Sequence, residues 1–289
     1  MRYIGRFAPS PSGPLHLGSL VAALGSYLQA RCQNGLWKVR IEDLDPPREM
    51  QGAAELILRS LEAHALTWDG EIIYQSQRHA LYQAQIDEWL AHHQAYYCTC
   101  SRQQIQQSGG LYLGHCRGRT TRPTQAAAIR LRMQTPTFSF QDQIHGLINI
   151  PHTLAQEDFI IKRRDGLFAY NLAVVLDDIA QGITQIVRGA DLIEPTGRQI
   201  SLYHLLAKTP PSYLHLPLVL DTQGNKLSKQ NHAPAIDNKQ AAANLCQALH
   251  FLGLTPPIEL AQSSPQAVVS WGCQHWDPIR LNRQNKTID

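Results

Sequence analysis

The chain has 289 residues, 43% of them hydrophobic and 17% charged, with a formal net charge of +3. That composition describes a globular chain with a sizeable core and excludes disorder; no apolar run reaches about 18 residues, so no membrane-spanning helix is expected. The opening MRYIGRFAPSPSG lacks the apolar stretch of a signal peptide, and six cysteines are too sparse for a disulfide scaffold of this length, so a reducing, cytoplasmic setting is expected.

Residues 2–8 read as a short strand, followed by a Pro-, Ser- and Gly-rich loop from Pro9 to Pro14. Leu17 to Cys32 reads as a helix, with Leu20, Leu24 and Leu28 at fourfold spacing, and Asn34-Gly35 ends it. Leu36 to Ile41 reads as a second strand. Strand, loop, helix, strand is a βαβ unit, which builds a parallel sheet through a right-handed crossover. Helical patterns follow at about 48–65 and 77–94. Residues 96–122, rich in Cys, Gly and Arg, read as an inserted loop. Short alternating stretches between 126 and 150 suit strands, as do Phe159 to Arg163 and Gln185 to Arg188. Leu172 to Ala180 and the stretch from Pro195 to about Lys208 read as helices. Leu214 to Leu220 reads as a strand, Asp221 to Gln230 as a polar loop, and 237–253 as a helix. The expected fold class is therefore α/β.

Two segments carry chemistry. The first is Pro9-Ser10-Pro11-Ser12-Gly13-Pro14-Leu15-His16-Leu17-Gly18-Ser19, lying between a strand and a helix. A helix N-terminus at the carboxyl end of a parallel strand offers free N–H groups and a positive dipole end to phosphate. Gly18 lets backbone or a flat base approach, and His16 can donate to a phosphate oxygen. The second is Gly224-Asn225-Lys226-Leu227-Ser228-Lys229-Gln230, where two lysines flank a serine; compact Lys charges suit a polyphosphate. Walker A, GxGxxG, HExxH and GxSxG patterns are absent, which disfavours P-loop, dinucleotide, metalloprotease and serine-hydrolase readings.

The cysteines of Cys98-x-Cys100 and Cys116 are spaced as metal ligands. Three thiolates need a fourth ligand for tetrahedral zinc, and Tyr112 and His115 are the candidates in the loop. Ligand statistics favour His115, whereas its adjacency to Cys116 disfavours it. Cys32, Cys246 and Cys273 read as packing residues. His64, His79, His92 and His93 lie on predicted helices without a partner pattern. Arg117, Arg119 and Arg122 form a local basic cluster that suits phosphates or a solvated face.

Taken together and in this order, the two segments resemble the HIGH and KMSKS signatures of class I aminoacyl-tRNA synthetases. Arg6–Gly18 (RFAPSPSGPLHLG), Arg40–Asp45 (RIEDLD), Tyr170–Asp178 (YNLAVVLDD), Ile186–Leu192 (IVRGADL) and His215–Leu220 (HLPLVL) are similar to motifs of the glutamyl branch. The resemblance spans roughly residues 2–235. The wording HLGSLVAALGSYL and KLSKQNHA is similar to the truncated glutamyl-queuosine tRNA(Asp) synthetase family. The chain ends too soon after the lysine loop for the long anticodon-reading part of full glutamyl-tRNA synthetases, so none is expected.

That resemblance implies a Rossmann-type catalytic domain split between 1–95 and 166–235, with a zinc-containing, acceptor-type insert at 96–165 and a short helical segment at 236–289. It implies activation of L-glutamate with ATP and Mg²⁺, then transfer of glutamate to queuosine in the anticodon of tRNA(Asp). Arg6 and Arg188 match carboxylate clamps, Glu42 the α-ammonium partner, and Tyr170, Ser10 and Ala8 further substrate contacts. Pro9, Ser12, His16, Gly18, Ser19 and Lys229 match the ATP site, with His16, Lys226 and Lys229 as the catalytic groups. The resemblance also implies Tyr112 as the fourth ligand beside Cys98, Cys100 and Cys116. A minimal synthetase charging a tRNA 3′ end and a non-catalytic tRNA-binding paralogue are the competing readings. No oligomerisation signal is visible, so a monomer without membrane attachment is expected.

Overall fold

A computed structural model of the chain describes residues 2–107, 109–220, 223–224, 227, 234–278, 281 and 286–287. The first half runs β1 (Ile4–Phe7), α1 (Leu17–Cys32), β2 (Leu36–Ile41), α2 (Ala53–Ala63), β3 (Ile73–Tyr74) and α3 (His79–Ala91). β1, β2 and β3 form a parallel sheet in that order, with Ile4 opposite Leu36 and Arg40 opposite Ile73. α1 is the crossover, as the leucine spacing predicts.

The insert follows as β4 (Ala95–Cys98), α4 (Arg102–Gln107) and β5 (Ala128–Leu131). Then come β6 (Ser139–Asp142), β7 (Gly146–Asn149), α5 (His152–Ala155) and β8 (Ile160–Lys162). β4, β5 and β8 form a small antiparallel sheet. Residues 96–122 are thus not all loop. Their cysteines and glycines hide a strand and a helical turn, and Tyr96, Cys98, Tyr112 and Cys116 bury together as a satellite cluster.

The second half has α6 (Tyr170–Gln181), β9 (Gln185–Gly189), α7 (Ile193–Leu205), β10 (Ser212–Leu216) and β11 (Val219–Leu220). β9, β10 and β6 run parallel, and β7 closes the edge antiparallel. The stretch 214–220 is two strands rather than one, because Pro217 removes a ladder donor between them. α7 begins at Ile193, with Pro195 inside its first turn, where a missing N–H costs nothing. Thr184 joins the halves: its N–H donates to Ile4 O at 2.9 Å, and Ile4 N–H donates to Thr184 Oγ1 at 2.9 Å.

The chain continues into α8 (Ala241–Phe251), α9 (Pro265–His275) and a short β12 (Lys286–Thr287) beside β11. α1 is apolar on nearly every side because it is covered on every side. Leu20, Leu24 and Leu28 belong to the main core with Trp37, Val39, Leu214 and Leu216 of the sheets and Leu245, Leu249 and Val268 of α8 and α9. Gly25 permits the close approach of α1 to β10; a Cβ there would lie 2.7 Å from Leu216 Cδ1. The two C-terminal helices therefore clamp the helix whose N-terminus faces the site. Among the described residues, no helix is long and apolar enough to cross a membrane.

Candidate active site

The carboxyl ends of β1 and β9, the loop before α1 and the start of α6 surround a cavity of about 500 Å³. Arg6, Ala8, Pro9, Ser10, Ser12, His16, Gly18, Ser19, Tyr170 and Arg188 all line it. Hydrogen bonds fasten the loop to the segment after β2: Glu42 N–H donates to Pro9 O at 2.9 Å and Met50 N–H to Pro11 O at 3.0 Å. Glu42 lines a neighbouring cavity of about 780 Å³ instead, which shares Ser10, Ser12 and Tyr170 with the first. The sequence reading groups Glu42 with Arg6 and Arg188; Glu42 shares a charge network with Arg6, since Arg40 donates to Glu42 Oε1 at 3.3 Å and to the Asp178 oxygen that also receives Arg6.

The two arginines are held differently. Arg6, only 3% exposed, donates Nε to Asp178 Oδ1 at 3.1 Å. Its terminal nitrogens make no hydrogen bond among the described residues. Arg40 supports the same carboxylate, with Nη1 2.8 Å from Asp178 Oδ1 and 2.6 Å from Gln181 Oε1. Burial works against the Asp178 charge, but Arg40 and Arg6 outweigh it and hold the carboxyl below its ordinary value. Burial pushes the Glu42 carboxyl up, against the pull of Arg40 and Arg6.

Arg188 is buried on β9 and meets no carboxylate within ion-pair distance among the described residues. Its Nε donates to His215 Nε2 at 3.1 Å, and its Nη2 to Thr196 Oγ1 at 2.7 Å and Gln199 Oε1 at 2.8 Å. Its Nη1 is buried with no partner. A buried donor in that condition is costly unless a ligand completes it.

His16 is the N-cap of α1. Its Nδ1 accepts from Ser19 N–H at 3.3 Å, so the hydrogen of the neutral ring lies on Nε2, 2.9 Å from Ser19 Oγ. No acidic side chain occupies the first turn of α1, so its dipole end is left for an anion. Gly18 allows the following chain to lie close: a Cβ there would meet the His16 ring at 3.2 Å and Leu227 O at 3.5 Å. Leu227 N–H donates to Val219 O at 2.8 Å, and Ile236 N–H to Leu15 O at 3.0 Å. Ile236 is thus stitched to the His16 turn and Leu227 to β11, and the two bracket Lys229 in the sequence. Lys226 and Lys229 themselves lie outside the described residues.

In the insert, the sulfurs of Cys98, Cys100 and Cys116 lie within 4.8 Å of one another, with Cys100 and Cys116 3.6 Å apart. Three sulfurs on one tetrahedral zinc would be separated by about 3.8 Å. The cluster could hold a metal ion. Burial, then the neighbouring Cys116 and Cys98 thiols, push Cys100 up to about 12. Tyr112 is buried against the cluster and its hydroxyl accepts from Cys116 N–H at 2.8 Å, whereas His115 is exposed. Arg117, one of the basic cluster that suits phosphates or a solvated face, grips Asp158 at 2.6 and 2.9 Å. His64 is buried and bonded to Ser60 O at 2.6 Å, and His79 packs on Phe168.

Arg40, Asp178, Gln181, His215, Asp142, Thr196 and Gln199 carry no signal of their role in the sequence. Arg40, Asp178 and His215 stand inside the quoted motifs, but nothing local says whom they touch.

The family model for tRNA synthetases class I (E and Q), catalytic domain, matches residues 4–255. A protein of Vibrio cholerae named glutamyl-Q tRNA(Asp) synthetase is 64% identical over 97% of this chain and 92% of its own length. A Vibrio vulnificus protein of the same name is 63% identical over 100% of this chain and 93% of its own. Among solved structures, a glutamate-tRNA synthetase from Elizabethkingia anophelis has the same fold, with a TM-score of 0.81 at 23% identity, covering 100% of this chain and 68% of that one. The chain thus belongs to the class I glutamyl- and glutaminyl-type tRNA synthetases, in the branch of the glutamyl-Q tRNA(Asp) synthetases.

Proposed function

We propose that this chain is a ligase that activates L-glutamate with ATP and transfers the glutamyl group to queuosine of tRNA(Asp). The observation that carries it is the convergence of Arg6 and Arg188, each with spare terminal nitrogens, on one cavity beside the N-terminus of α1. Two arginine forks suit a dicarboxylate, and the helix end suits a triphosphate. The names borne by the relatives at 64% and 63% identity supply the acceptor.

In this reading Arg6 and Arg188 hold the two carboxylates of glutamate. Glu42 meets the α-ammonium beside Ser10 and Tyr170, and the ammonium restores the charge that burial disfavours on Glu42. Ala8, Pro9, Ser12, Gly18 and Ser19 shape the nucleotide bed. An oxygen of the α-carboxylate attacks the α-phosphorus of ATP in line, the bond from that phosphorus to the bridging oxygen breaks, and pyrophosphate leaves. No proton moves. The His16 Nε2–H, now spent on Ser19, turns to phosphate oxygens, and Lys226 and Lys229 offset charge growing on the leaving group. Asp191 is the sole carboxylate among the described residues lining this cavity. Mg²⁺ would therefore ride in on the phosphate oxygens and neutralise them. In the second step a hydroxyl of the queuosine nucleoside attacks the carbonyl of the mixed anhydride, AMP departs, and the hydroxyl proton is released.

Cys98, Cys100, Cys116 and Tyr112 would hold zinc, which staples the insert. The thiol cluster and the absence of a spanning helix among the described residues accord with a cytoplasmic setting. The test is transfer of labelled glutamate to bulk tRNA from queuosine-containing and queuosine-deficient cells. Label on the first preparation alone is expected. Equal label on both would replace this reading with 3′-end charging.

A further inference from the structure

A buried arginine normally sits against a carboxylate, and Arg6 does, on Asp178. Arg188 is arranged otherwise. Its hydrogen-bond partners are all neutral: an imidazole, a hydroxyl, a side-chain amide and the Leu192 carbonyl. A carboxylate, Asp142, stands one residue further back, behind His215. Arg188 and His215 are register partners on adjacent parallel strands β9 and β10, and Asp142 ends β6 on the far side of β10. Asp142 Oδ2 receives His215 Nδ1 at 2.7 Å and His215 N–H at 3.1 Å. Its Oδ1 receives the N–H groups of Ile144 and His145, both at 2.9 Å. His215 and Asp142 are both fully buried, and the His215 ring lies parallel to that of Tyr213, 6.0 Å away.

Donor arithmetic fixes the tautomer. Arginine only donates, so His215 Nε2 must be an acceptor, and the ring hydrogen must sit on Nδ1, pointing at Asp142. Burial favours the neutral ring. The carboxylate therefore locks the imidazole without touching the guanidinium, and the imidazole aims the guanidinium without neutralising it. A carboxylate placed on Nη1 would occupy the edge that an anionic ligand needs.

We propose that His215 and Asp142 are positioning residues that hold Arg188 with its Nη1 edge open and its charge unspent, so that it receives a carboxylate of the amino-acid substrate. The proposal rests on the reading of Arg188 as a glutamate-binding residue.

The test is a double-mutant cycle in ATP–pyrophosphate exchange on the intact enzyme, reading KM for glutamate, KM for ATP and kcat separately. Arg188→Ala is expected to raise KM for glutamate about 100-fold or more, as loss of a bidentate charged partner does. His215→Ala is expected to raise it about tenfold, with KM for ATP and kcat within about twofold. In the Arg188→Ala background, His215→Ala should add less than about twofold, since its effect passes through Arg188. His215→Gln, which places an amide oxygen near the Nε2 position, should recover most of the loss. Asp142→Asn keeps the shape but puts an amide N–H₂ among donors, so it should behave like His215→Ala and keeps the test open if that variant fails to fold.

An unchanged KM for glutamate in Arg188→Ala would remove the underlying reading. A glutamate defect in Arg188→Ala with none in His215→Ala, or one that multiplies fully in the double variant, would remove the positioning role and leave that reading in place.

Discussion

Asp178 accepts Arg6 and Arg40 on one carboxylate oxygen, at 3.1 and 2.8 Å, with all three side chains almost wholly buried. Removing it strands two guanidiniums in the interior. Asp178→Ala should therefore cost about 3–5 kcal/mol of stability, read from urea unfolding. A loss under about 1 kcal/mol would show that the pair does not anchor Arg6. Lys229 makes a cleaner separation of binding from chemistry. Lys229→Ala should cut pyrophosphate exchange about 100-fold or more while leaving glutamate binding within about twofold, because its partner is charge that develops on the leaving group. Unchanged exchange in that variant would remove the lysine from the reaction. At this scale the sequence names Arg6, His16 and Arg188 through their motifs, but not their supports. Asp178 lies 172 positions from Arg6 and His215 lies 27 from Arg188. No periodicity links residues so separated.

The insert shows how an element is built with little apolar material. β4, β5 and β8 form a three-stranded sheet whose satellite cluster contains Tyr96, Cys98, Tyr112 and Cys116. Arg117 and Tyr96 both converge on Asp158, which binds the loop to the strands. With zinc in place the three thiolates become part of that framework. Purified protein should carry about one zinc per chain, and Cys116→Ser should lower that content to near zero and lower the melting temperature. A melting curve insensitive to both the substitution and a strong chelator would show that metal does not hold the insert together. The cysteine spacing is legible from sequence. The strand inside the same stretch is not, because Cys, Gly and Arg mask the alternation of AYYC. The α1 helix is the opposite case: leucines at fourfold spacing mark its body, Asn34-Gly35 marks its end, and it runs from Leu17 to Cys32 as read.

The whole molecule responds to acid in two stages. His64 and His215 are both held below the ordinary histidine value, chiefly by burial. The unfolded chain therefore takes up protons first, and stability falls as pH drops below about 6.5. Asp142 and Asp178 are held below the ordinary carboxylate value; burial opposes their charge, but the hydrogen bond from His215 and the charges of Arg40 and Arg6 prevail. The stability they contribute is present above about 4 and disappears as pH falls through their lowered values. A melting-temperature profile should show a shallow decline beginning near pH 6.5 and a steeper one below about 4. Replacing His64 with Gln should flatten the first decline, and an unchanged profile in that variant would assign the decline elsewhere.

Sequence alone determined what local order can carry: the opening βαβ unit, the phosphate-type turn before α1, the spacing of the three cysteines and the chain order of the motifs. Each is set within a few residues, by side-chain periodicity, by turn chemistry or by ligand spacing. Only the tertiary structure decided how those pieces support one another. It ordered β6, β10 and β9 side by side, which put Asp142, His215 and Arg188 in one line. It tied Glu42 to Arg6 through Arg40 and Asp178. It folded α8 and α9 over α1 and brought Leu227 against the His16 turn. Those arrangements depend on which apolar faces meet and which buried charges find partners. That is a balance struck between segments far apart in the chain, and no single segment contains it.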